Sequence, residues 1–536
     1  MRSKMIRTVL LLVIACLVLF ASPAFSTPVP EISIMTTTEA YDAIRYETAF
    51  MIAEAWESLG FTVFVRPVEF STLTTRLMDQ QDFDVSMYGW GGRVERLDPQ
   101  HFLGSLYSGQ ADRGGTNPGG YTNEEYDALF EKQSGLYDPN ERREVVLKMQ
   151  EIAMSEAPIS VLYYRDEVNA YNSDRFADFQ IMAGEGLYNE WLHYSVTPLT
   201  DKRILTVGTP QEPDNINPLA STTVWGWKFL RLVYDKLVRL SPDIEPIPWA
   251  AEEIISVDDV TVDIVLRSGM TFHDGMPVTV EDIKFTFDYY IEKDFAYFRP
   301  FYRVIEKTEI IDDSTVRFIL QEPYAPFTTV TLSQIPILPK HIWEHIENPA
   351  ELTPGEIPTV GSGPFVFDRY ERGEYKRILT FWDHFAADDV TIDGMDYIIY
   401  ADSEGVLTGL TTQEIDLTAQ RIDPGHIPVA EGLPHVSLVT VPNFAYHFFI
   451  MNTRRPPFDD VNVRRALSHA VDKATFIDVL MEGFGEPGAS IIAPINAFWH
   501  NPEIEKFEFD LAKARQLLEE AGYRWDSQGR ILFPEG

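Results

Sequence analysis

Few residues of this chain have the spacing that covalent chemistry needs. His341 and His345 stand four apart, which puts two imidazoles on one helix face. No Glu sits beside the first His and no third ligand is in view, so a zinc site is not expected there. The chain shows no phosphate loop and no dinucleotide fingerprint, and no cofactor is expected. Gly361-Ser362-Gly363 lacks the spacing of a nucleophile elbow. With 82 Asp and Glu residues, neighbouring carboxylates are unavoidable, and no pair stands out as an acid and a base. What is left suits holding a molecule rather than transforming it. In Trp90-Gly91-Gly92-Arg93, an aromatic ring is followed by two glycines that let backbone N–H groups approach a ligand closely. Arg93 would suit a carboxylate, phosphate or sugar hydroxyl and would repel an ammonium; pairing with Glu95 or Asp98 is its structural alternative.

The surroundings of these residues are set by export and by charge. Arg2, Lys4 and Arg7 precede the apolar run Val9–Phe20, and Ala21–Ser26 supplies small residues for cleavage. Residues 1–26 therefore read as a signal peptide, with an apolar run shorter than the ~20 residues of a membrane span. Val13-Ile14-Ala15-Cys16 also resembles a lipoprotein box, which leaves a lipid anchor at Cys16 as the alternative. Cys16 is the only cysteine, so the exported chain must be held by its core rather than by disulfides. The formal net charge of −38 disfavours nucleic acid and anionic lipid as partners. Its simplest reading is a solvated acidic coat. Length alone implies two or three lobes.

Helix and strand signals alternate throughout, which favours an α/β fold. Thr38–Leu59 has helical periodicity and stops at Gly60. Short strands follow at Phe61–Val65 and Asp84–Tyr88. Thr122 with Glu125 reads as a capping box, Thr279 as the cap of a helix reaching Tyr290, and Asp460, Asp472 and Asp510 as caps of three late helices. Val260–Leu266 and Thr315–Leu320 alternate like half-buried strands.

Several motifs together resemble one family, the family 5 extracellular solute-binding proteins, which are the dipeptide- and oligopeptide-binding subunits of ABC importers. They are Leu205–Gly208 with Phe229–Leu240, Phe272–Ile283, Val360–Phe365, Asn452 with Pro457–Leu467, and Ala514–Tyr523. The elements that close the family's sequence are matched by Ile32–Met35, Ala40–Gly60 and Asp84–Trp90, which lie at the other end of this chain. The resemblance thus implies a circular permutation, in which Gly536 would lead to Thr27. It also implies a two-lobed periplasmic-binding-protein-like fold, type II, with an added subdomain. One lobe is expected from 27–160 plus 441–536, the other from 161–240 plus 358–440, and the subdomain from 241–357. Strands near 31–35, 61–65, 84–89 and 445–451 should then share a sheet.

The function implied is that of an extracytoplasmic receptor, a monomer that closes two lobes on a peptide-class ligand and presents it to an ABC permease without chemistry. By the same resemblance Trp90, Gly91, Gly92 and Arg93 face the ligand, Tyr41 adds a second cleft aromatic, and Trp225 and Trp227 contribute from the opposing lobe. Arg93 departs from the Asp that commonly holds a peptide's amino group, and Thr38 and Glu39 stand where dipeptide binders carry a carboxylate-holding Arg. An oligosaccharide receptor is therefore kept as one alternative, and a secreted hydrolase as the alternative of another class.

Overall fold

A computed structural model describes residues 27–92, 96–213, 215–221, 223–295, 298–353 and 355–534. The signal peptide, the lipid-anchor alternative at Cys16, and Arg93 lie outside the described residues. Alternating apolar positions build strands β1 (Ile32–Thr37), β2 (Val63–Val68), β3 (Val85–Trp90) and the long β4 (Ile159–Asn172). β4 is the common strand of a 12-stranded sheet. Its first half pairs with Tyr446–Met451, which continues through β3 and β1 to β2. Its second half pairs with Val436–Pro442 and Leu417, and the sheet continues through Ile204–Thr209 and Gly394–Ile399 to the hairpin 365–380. The four strands expected to share a sheet are neighbours in it.

Four of the apolar clusters divide along the same line, and a small fifth one, of Leu97, Met182, Leu240 and Phe444, bridges it. Two clusters, one around Trp56 and Phe449 and one around Met149 and Tyr446, draw on residues 29–164 and 446–531. The largest cluster and a smaller one draw on residues 168–438. The change occurs near Arg165 on β4 and near Asn443, the two places where the chain crosses between halves. The largest cluster also holds the four-stranded antiparallel sheet of residues 251–320 against the helix Val280–Lys293. The capping box of Thr279 and Asp282 starts that helix.

Both ends of the chain meet in one half. Val29 N donates to Ile531 O at 3.0 Å, and Phe533 N donates to Thr27 O at 2.9 Å. The Trp525 indole donates to Leu59 O at 2.6 Å. Gly60, at φ +95°, lets the C-terminal hairpin approach; a Cβ there would fall 2.4 Å from Gly529 O. Local signals shift in two places. The helix expected from Thr38 begins at Ala43, because Asp42 accepts from Arg45 N and acts as the cap. The helix expected to be capped by Thr122 is capped by Asn123, whose side chain accepts from Tyr126 N. Asp460, Asp472 and Asp510 cap their helices as read from the sequence.

Trp56 joins the two chain ends at their most buried point. It is fully buried, donates its indole N–H to Leu467 O at 3.0 Å, and packs edge-on against Phe449. Trp56→Ala is expected to cost about 3–5 kcal/mol, measured by urea unfolding; a loss under 1 kcal/mol would mean these segments do not share a core.

Candidate functional site

A cavity of ≈ 800 Å³ opens where the two halves meet, with β4 as part of its wall. The N-terminal half contributes Tyr41, Asp42 and Gly92; the opposing half contributes Glu185, Trp225, Lys228 and Arg421. The crossing segments contribute Arg165, Glu167 and Asn443. Gly92 is required there: a Cβ would lie 2.0 Å from Asn443 Oδ1 and 2.8 Å from Ala445 N. From the other side, Gly184 abuts the Phe444 ring and would meet it at 1.9 Å. The segment 443–445 is thus gripped by a glycine from each half.

The charges are layered. At the floor, Arg165 Nη2 donates to both carboxylate oxygens of Asp42, at 2.8 and 2.9 Å, and Arg45 Nη2 stands 3.6 Å from the same carboxylate. Burial opposes the ionised form of Asp42, but Arg165 and Arg45 outweigh it and hold the carboxyl well below the usual carboxylate range. His447, stacked on Tyr163 at 4.9 Å, has its basicity depressed by burial and then by Arg165 and Arg45, so it stays neutral. Gly89 makes room for this group: a Cβ there would fall 2.8 Å from His447 Nδ1 and 3.3 Å from Arg45 Nη2. On the wall, Glu167 accepts from Asn443 Nδ2 at 3.2 Å, and burial pushes its carboxyl above the ordinary range. Glu185 is clamped by Arg231 at 2.5 and 3.1 Å. Lys228 lies over the rings of Tyr188 and Trp225.

The residues singled out from the sequence are only partly brought together. Tyr41, Gly92 and Trp225 line the large cavity. Tyr41 is 52% exposed and stacks on Phe70 with centroids 4.7 Å apart. Trp90 ends β3 but turns into a separate small crevice with Tyr88, Pro118 and Phe448, its ring covered by the Arg96 guanidinium. The Gly91 carbonyl accepts from that same Arg96. Trp227 is a correction: it is core. It is buried, donates to Ser221 O at 3.1 Å and packs edge-on against Phe298, because its helix turns that face inward. His341 is bound to Asp274 at 2.8 Å, and Gly361 and Gly363 are small because Val233 presses on them. Sequence reading missed Asp42, Arg165, Glu167, Lys228, Arg421 and Asn443. Apart from Arg165 and Glu167 on β4, they come from distant segments that no spacing links.

Residues 245–535, more than half of the chain, match the family described as bacterial extracellular solute-binding proteins, family 5 Middle. The chain belongs to that family. Among its family 5 relatives, the oligopeptide-binding protein AppA of Bacillus subtilis is 28% identical over 340 residues, covering 62% of each chain. The glutathione-binding protein GsiB of Pectobacterium atrosepticum is 27% identical, over 60% of this chain and 61% of that one. The solved structure of AppA with a nonapeptide is 26% identical with a TM-score of 0.50, over 61% of this chain and 65% of that one. CtaP of Listeria monocytogenes is 28% identical with a TM-score of 0.53, over 61% and 66%. The chain thus spans just over 60% of the length of the curated relatives named. No helix among the described residues is long and apolar enough to cross a membrane.

The Asp42 cluster has a definite pH signature. A carboxyl held low in the folded state adds stability that is full above its unfolded value, about 4, and is lost as pH falls below that. Asp42→Asn should therefore cost about 3–5 kcal/mol at pH 7, by leaving guanidinium groups uncompensated, with a smaller difference at pH 3. Denaturant unfolding at both pH values checks this; a gap that does not shrink in acid would separate Asp42 from the ion pair.

Proposed function

We propose that this family 5 protein is an extracytoplasmic receptor that closes on a small peptide and hands it to an ABC permease without chemical change. The observation that carries this reading is the ≈ 800 Å³ cavity lined from both halves and from both crossing segments. A ligand that touches both halves favours the closed arrangement. The relatives' names, an oligopeptide and a glutathione binder, point to peptide-class ligands. The proposed contacts are Tyr41, Gly92 and Trp225, with the polar groups of β4 beside them. Export beyond the cytoplasmic membrane is part of the same reading. Titration calorimetry with a mixed pool of two- to five-residue peptides, read with small-angle scattering, tests it. Bound peptide recovered intact with a compacted protein is expected, and Trp225→Ala should weaken binding at least tenfold. A protein that retains no peptide, or releases cleaved peptide, would overturn the proposal.

We also propose that the chain order is a circular permutation of the family's. The matched segment is 245–535, while β1 to β4 come from before it and complete the same sheet. Thr27 and Phe533 are hydrogen-bonded neighbours, so closing the ends needs only a short link. A rotated variant running from Asp201 through Gly536, a short Gly-Ser link and Thr27 to Thr200 should unfold in one cooperative transition within about 5 °C of the parent, about 5 kcal/mol at ~2 cal/mol/K per residue over roughly 510 residues. Failure of that variant to fold would count against the rotated order.

A further inference from the structure

We propose that the unit built on the four-stranded sheet of residues 251–320 is a latch, which holds the two halves shut through a contact outside the cavity. The inference rests on the receptor reading and adds what keeps the closed form closed. Away from the crossing strands, segments of the two halves meet a second time. Asp98 and the stretch Ser134–Tyr137 belong to the N-terminal half. Asp259, in the turn between strands Ala251–Asp258 and Thr261–Leu266, and residues 323–329, after strand Thr315–Leu320, belong to the other. The Tyr137 hydroxyl donates to Asp259 O at 2.6 Å and accepts from Tyr324 N at 3.0 Å. Ala325 N donates to Ser134 O at 2.7 Å, and Thr329 Oγ1 donates to Asp98 Oδ2 at 2.8 Å. None of these residues lines the cavity.

The contact has the chemistry of one that opens and recloses. Asp98 is buried, but its charge is met inside its own half: Arg142 donates to it at 2.6 and 2.8 Å, and Gln100 N at 2.9 Å. Withdrawing Thr329 therefore leaves no charge unpaired. Tyr137 is 42% exposed, so water stands ready to replace the partners of its hydroxyl when the contact parts. The large apolar clusters on either side stay separate, with Phe130 and Leu136 in one and Tyr324 and Phe327 in the other. Polar contact between separate cores is the pattern of domain interfaces that part and rejoin. A ligand held between the halves leaves only when they part, so the latch slows release without touching the ligand. Tyr137 and Asp98 are positioning residues in that sense.

A Cβ added at Gly135 would lie 3.8 Å from Pro323 Cβ, the usual separation across a disulfide, and Gly135 sits at φ −96°, which cysteine adopts freely. The test is Gly135→Cys with Pro323→Cys, in a Cys16→Ser background so that no other thiol is present. The protein is loaded while reduced with the mixed pool of two- to five-residue peptides and then oxidised. Mass spectrometry of a digest should show the new disulfide, and peptide release should slow at least tenfold and recover on reduction. Tyr137→Phe, which loses both hydroxyl bonds, should release peptide at least threefold faster. Without peptide, it should show a larger radius of gyration than the oxidised double variant. Absence of the disulfide, parental release from the oxidised protein, or a Tyr137→Phe variant altered only in melting temperature would overturn the latch. If the parent retains no peptide, the receptor reading falls and the scattering comparison decides the latch by itself: a larger Tyr137→Phe variant supports it, and equal dimensions overturn it.

Discussion

The molecule is organised by one backbone constraint. β4 runs unbroken through both halves of the sheet, and the segment from Val436 to Met451 crosses beside it. Backbone hydrogen bonds hold β4 to a different partner strand in each half, so the halves cannot separate without breaking a ladder. Pairing changes hands near Arg165 and Asn443. The cavity lies there, lined by Arg165 and Glu167 of β4 and by Asn443. Leu162 earlier in β4 and Val168 later in it are each enclosed by an apolar core.

That placement explains the electrostatics. A crossing strand brings Arg165 against Asp42 from a separate helix and faces Arg421 from the loop after Leu417–Thr418. Asp42 lies within ion-pair distance of Arg165 and Arg45. Two residues along β4, Glu167 also lines the cavity, so the cleft carries charges of both signs.

Much of the scaffold was legible in advance because its signals are local. Asp460, Asp472, Asp510 and Thr279 cap helices through groups two or three residues away, which short-range spacing reveals. The start of the helix at Ala43 was misjudged because Tyr41 and Asp42 fit its period but are spent otherwise, one on Phe70 and one on capping and Arg165. Trp227 illustrates the same limit: its neighbour Trp225 faces the cavity, and two residues along a helix turn the ring into the core. Trp90 was read as a wall of the cleft, but the end of β3 points its indole to the face packed by Phe448 and leaves Gly92 to meet the cavity.

The amino-acid order by itself determined the α/β class, most of the caps, the strand set and the family, because each follows from spacing within a few residues or from short contiguous motifs. Only the tertiary structure decided which charges confront one another. Asp42, Arg45, Arg165 and Arg421 become neighbours through a sheet whose adjacent strands are hundreds of positions apart, as β3 and Tyr446–Met451 are. Coulomb forces depend on that separation in space, and the linear sequence does not carry it.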